Sequence, residues 1–72
     1  MHENEMRLKI ALIIEIMISK FKKSGNSFID EFNISIIAKY IDDNFMNSRF
    51  KIDRIKGFKL YAKLGRKINE TT

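Results

Sequence analysis

The chain has 72 residues, no cysteine, 44% apolar and 32% charged residues, and a formal net charge of +5. This excludes a disulfide framework, a thiolate metal site and a disordered tail, whose apolar content would be lower. It describes one small domain (1–72) that buries only about 60% of its unfolded surface, and with the usual staples of tiny domains missing, a second subunit is the natural source of further stability.

Taken in chain order, the first element is a long helix over 3–23. Met6, Ile10, Ile13, Ile14, Met17 and Phe21 recur three or four apart, as one face of a helix requires. Glu3 and Glu5 near its start and Lys20, Lys22 and Lys23 near its end match the macrodipole. Leu8, Leu12 and Ile16 fall on the opposite side and form a second apolar patch, which we expect to serve as a dimer or partner interface. Glu15 and the closing lysines interrupt the run IALIIEIMI, which is too short to cross a bilayer and lacks a cleavage site, so a cytoplasmic protein with no membrane role is expected. Gly25 offers a left-handed stop.

Ser27 is the expected cap of the next element, with Asp30 three residues on. Ile34, Ile37, Ala38 and Ile41 give helical spacing, and whether 28–42 is one helix or two, the second capped by Asn33, stays open. Asp42, Asp43 and Asn44 signal a turn, covered by Phe45 and Met46. Asn47 or Ser48 can cap a third helix running through Arg49, Ile52 and Ile55 to about Lys56. Beyond Gly57 the alternation of Phe58, Leu60, Ala62 and Leu64 with Lys59, Tyr61 and Lys63 has a strand period. Over 57–68 a short β wing and a continuing C-terminal helix are therefore both open, and the helix formers there favour the second, since a lone glycine costs a helix only about 1 kcal/mol. Asn69 to Thr72 should fray. The fold class is all-α, with three to four helices.

Nothing in the sequence assembles catalytic chemistry. His2 stands alone at the terminus, Gly25, Gly57 and Gly65 are too dispersed for a phosphate loop, and the adjacent Asp42 and Asp43 are accounted for by a turn. No enzyme, cofactor or metal is expected. Charge segregation is the strongest signal: 47–68 holds eight of the fourteen Lys and Arg residues and one of the nine acids, so it carries +7 and leaves −2 elsewhere. That points to an anionic partner. Phe50 and Phe58 are expected in the core, and Tyr61 is the aromatic left to stack on a base.

The span Ile34 to Lys56 resembles a helix-turn-helix of small winged-helix-like DNA-binding proteins, with Ile37, Ala38 and Ile41 in its first helix and Asn47, Ser48, Arg49, Lys51 and Arg54 opening its second. Asp42 stands where that family commonly has a glycine. The resemblance makes 28–56 a helix-turn-helix-like unit whose second helix enters the major groove. It implies that Asn47, Ser48, Arg49 and Lys51 face base edges and that Arg54, Lys56 and Lys59 meet phosphates. Lys63, Arg66 and Lys67 would extend the backbone contact. The functional expectation is a non-enzymatic, homodimeric DNA-binding regulator that favours duplex DNA. The alternative is an accessory subunit that docks through 3–23 on a larger nucleic-acid-processing protein and adds basic surface to it.

Overall fold

A computed structural model of the chain describes residues 3–70, with side chains from Glu5 onward; His2 and the last two threonines lie outside the described residues. Among the described residues three α-helices follow one another: α1 (Glu3–Lys20), α2 (Ser27–Ile41) and α3 (Lys51–Glu70), with a π-helical turn, Asp42–Met46, continuing α2. The all-α class holds, and no strand forms among the described residues. Residues 57–68 lie inside α3, so the wing gives way to the continuing helix, and Asn69 and Glu70 belong to that helix rather than fraying. A helix-turn-helix unit is not shown.

Local chemistry explains each boundary. Phe21 N–H still bonds Ile18 C=O at 3.1 Å, after which Gly25 takes φ +88°, a left-handed conformation that side chains resist and that turns the chain back. The cap of α2 is Asn26 rather than Ser27: its Oδ1 accepts the N–H groups of Phe28 and Ile29 at 3.0 and 3.2 Å. Asp30 reaches past that cap to accept Ser24 N–H at 2.8 Å, so a buried carboxylate ties the loop to the helix. Residues 27–41 are one helix, and Asn33 caps nothing. The turn expected at Asp42 to Asn44 is instead wound as π-helix, closed by Asn47 N–H on Asp42 C=O at 2.9 Å; Asn44 Nδ2 also donates to Tyr40 C=O at 2.9 Å, and Lys39 pairs with Asp43 at 3.4 Å. The break falls later, at 47–50, and α3 begins only at Lys51.

Short connections make the bundle run up, down, up, so α1 and α3 are parallel: Arg7 meets Asp53, and one helical stretch further on Glu15 meets Lys56 and Lys63. The core holds Ala11, Ile14, Ile18 and Phe21 from α1 and its exit, Ile37, Ile41 and Phe45 from α2 and its π turn, and Leu60 and Leu64 from α3. Each large apolar group in it is worth about 1.5–3 kcal/mol of burial. Ile10 and Met17 pack against this core as their spacing implies. Met6 and Ile13 do not; they stay 45% and 56% exposed, because α1 is rolled toward α3 and buries Ala11 and Ile18 in their place. Gly57 sits in mid-helix for a packing reason: a Cβ there would lie 2.5 Å from Met46 Sδ and 3.1 Å from Phe45 Cβ, so the backbone of α3 lies directly on the π turn. Among the described residues, thirteen large apolar side chains are exposed against nine residues in the core, which leaves each helix with apolar residues on its outer surface.

Candidate nucleic-acid interface

The basic segment divides where α3 is anchored and where it is not. At the anchored end Asp53 is buried, and its Oδ2 accepts the Ser48 hydroxyl at 2.6 Å and Arg7 Nε at 3.2 Å. Ser48 Oγ in turn accepts Phe50 N–H at 3.1 Å, closing the turn that launches α3, while Arg54 Nη1 donates to Ser48 C=O at 2.9 Å. The Phe50 ring lies between two guanidinium groups, Arg7 at 5.5 Å and Arg49 at 5.1 Å, a cation–π clamp on the connector. Asn47 ends the π turn through its N–H to Asp42 C=O at 2.9 Å. Asn47, Ser48 and Arg49 thus precede α3 instead of opening it, and Ser48 and Arg54 are spent on the fold.

Other cations of α3 turn outward. Lys51, Lys59, Lys63 and Arg66 are exposed and Lys67 is half-buried; Lys59, Lys63 and Arg66, spaced four and three apart, share one flank of the helix. Lys63 Nζ donates to Glu15 Oε1 at 3.0 Å and Lys56 Nζ to the same oxygen at 3.4 Å, which ties that flank to α1. Hydrogen bonding from Lys63 above all, with the charges of Lys63 and Lys56, holds the Glu15 carboxyl below its usual range against the opposing effect of its burial. Lys51, Lys59, Arg66 and Lys67 form no ion pair among the described residues.

The aromatic expectations are reversed. Phe50 and Phe58 are 45% and 63% exposed, whereas Tyr61 turns inward and donates its hydroxyl to Asp42 Oδ1 at 2.6 Å, with Ala38 C=O at 3.2 Å. Burial and the Asp42 carboxylate push the Tyr61 hydroxyl up to about 12. Tyr61 is a strut between α2 and α3. Phe58 escapes the core because it lies one position beyond Gly57, on the side away from the π turn; Ile52 and Ile55 are 75% and 43% exposed on the same outer surface. On α1, Leu8, Leu12 and Ile16 are 69%, 57% and 45% exposed. Leu8 and Ile52 line a groove of about 360 Å³ between the two helices, with Ala11 and Phe45 at its floor.

Sequence reasoning passes over Arg7 and Asp53, whose partnership spans α1 and α3. One signal is present: Asp53 is the lone acid among eight cations, and an isolated counter-charge in a helix's first turn is a candidate anchor. Among the described residues no group of three acidic or histidine side chains is placed to hold a metal ion, and no helix is long and apolar enough to cross a membrane. Comparison with protein-family models, with curated proteins and with solved structures finds no match to this chain.

Proposed function

We propose that the protein binds nucleic acid without catalysing a reaction, meeting the phosphate backbone with the outer flank of α3. The observation that carries this reading is the set of exposed cations Lys51, Lys59 and Arg66, which have no ion-pair partner among the described residues, beside Lys63 and Lys67 on the same helix. A surface lysine opposite a carboxylate gains little from a phosphate; one without such a partner releases a counterion for each phosphate it neutralises. Duplex DNA, read by a homodimeric regulator, is the first ligand this charge pattern suggests. Phe58, exposed among Lys51, Lys59 and Ala62, gives the same face a ring on which an unpaired base can stack, so a single strand is the second ligand to try.

The test is a salt titration of binding to a mixed-sequence duplex and to one of its strands. A steep loss of affinity with salt is expected, with the Lys59→Ala, Arg66→Ala double variant flattening the slope by about two. Binding that ignores salt, or a double variant with an unchanged slope, removes α3 as the contact.

A second reading is favoured by the exposed stripe Leu8, Leu12 and Ile16 alongside the basic flank. Here α1 docks on a larger nucleic-acid-processing protein, and α3 adds cations to that protein's substrate path. Affinity for DNA that arises only with the partner present distinguishes this reading from the first.

A further inference from the structure

Away from the basic flank, α2 carries its own unpartnered surface. Ile29, Phe32, Ile36 and Tyr40 follow one another at spacings of three and four, so they share one face of the helix, and Phe28 borders it. Phe28 is 78% exposed, Phe32 60%, Tyr40 49% and Ile29 46%. This stripe lies away from Ile37 and Ile41, which face the core. Ile36 lines the groove of about 430 Å³ between α1 and α2, with Met17 opposite it. Along one edge of the stripe runs a second row of exposed residues spaced four apart: Glu31, Ser35 and Lys39. Glu31 has no ion pair among the described residues, and Lys39 holds only Asp43, at 3.4 Å with both side chains well exposed.

We propose that a second copy of this chain packs on the face, α2 against α2, antiparallel about a two-fold axis at Ser35. The row is self-complementary in that arrangement alone of its parts: Glu31 and Lys39 stand four residues to either side of Ser35, so each acid meets the base of the other copy, and the contact forms twice. The same register brings Phe32 between Ile36 and Tyr40 of the second copy, while the small side chain of Ser35 lets the two helices approach at their crossing. The four exposed apolar residues Phe28, Ile29, Phe32 and Tyr40 present about 450 Å². The polar row Glu31, Ser35 and Lys39 extends this toward the ~800 Å² per partner of a stable interface. Beside the outer stripe of α1, Glu15 is already held by Lys56 and Lys63. This dimer uses no residue of α3 and stands independently of what α3 binds.

Sedimentation equilibrium of the full chain tests it. A dimer is expected for the natural sequence and a monomer for Phe32→Ser, with circular dichroism showing the helices retained, because Phe32 contributes nothing to the core. Glu31→Lys and Lys39→Glu should each weaken the dimer about tenfold, and the two together should restore it to within about threefold, the signature of a directly coupled pair. Leu12→Ser should change nothing. A natural chain that stays monomeric, a double charge variant that fails to recover, or a dimer dissociated by Leu12→Ser and untouched by Phe32→Ser overturns the proposal.

Discussion

The two halves of α3 have the same kind of sequence and differ in how closely they are tied to the rest of the molecule. Before Gly57, two of the three cations of α3 are occupied, with Arg54 closing the connector and Lys56 leaning on Glu15, while the buried Asp53 gathers Ser48 and Arg7 and Lys51 is left exposed. After it, Lys63 shares Glu15 with Lys56, and Lys59, Arg66 and Lys67 have no ion pair among the described residues. A basic stretch is therefore not one surface. Cations that reach a carboxylate or a connector carbonyl, such as Arg54, Lys56 and Lys63, serve the fold, and those that reach none are left for a partner.

The strongest way to break this contrast is to remove the anchor. Asp53→Ala should cost about 2–4 kcal/mol in denaturant unfolding, because the Arg7 guanidinium and the Ser48 hydroxyl lose a buried acceptor together. A loss below about 1 kcal/mol would mean that the anchored half is held by apolar packing alone. The glycines sharpen the same division. Gly57→Ala presses a methyl group on Phe45 and Met46 and should lower stability by about 1–2 kcal/mol despite its better helix propensity, while Gly65→Ala meets nothing within 4 Å and should raise it by about 0.5–1 kcal/mol. Thermal unfolding of the pair checks the opposite signs.

Tyr61 links α3 to α2, and its prediction has a pH sign. Its hydroxyl is pushed up to about 12 in the folded chain, against about 10 in an unfolded one. The folded state thus favours the neutral phenol, so this contribution is complete below about pH 10 and is lost as pH rises toward 12. Tyr61→Phe should cost about 1 kcal/mol at neutral pH and remove the part of the alkaline stability loss that belongs to this group; an alkaline unfolding curve parallel to that of the natural chain would deny the hydroxyl its role as a strut.

The smallest effect on stability should come from Glu15→Gln, about 0.5 kcal/mol, since Lys56 and Lys63 are partly solvated. Because the folded carboxyl titrates below its ordinary value, the stabilisation is present above about pH 4 and is lost on acidification. The same substitution frees two lysines beside the exposed flank. Under the nucleic-acid reading, affinity should rise a few-fold at low salt, and an unchanged affinity would separate Lys56 and Lys63 from the contact.

Much of the architecture was legible in the residues alone. Apolar spacing marked α1 and α2, Gly25 marked the turn between them, and the charge count isolated the segment that became the connector and α3. Local rules suffice there because caps, left-handed turns and amphipathic periods involve neighbours in the chain. Tertiary contacts decided the rest. The π turn at Asp42–Met46 lies against Gly57, and the strand-like alternation that follows is wound as helix. The roll of α1 toward α3 buries Ala11 and Ile18 and leaves Ile13 outside; Tyr61, the residue expected to stack, is drawn in by Asp42, and Phe58 is left out. Which of two amphipathic sides faces inward depends on where the other helices lie and how closely their backbones approach. That is set by contacts such as Arg7 with Asp53, between residues far apart in sequence, and no periodicity within one helix encodes it.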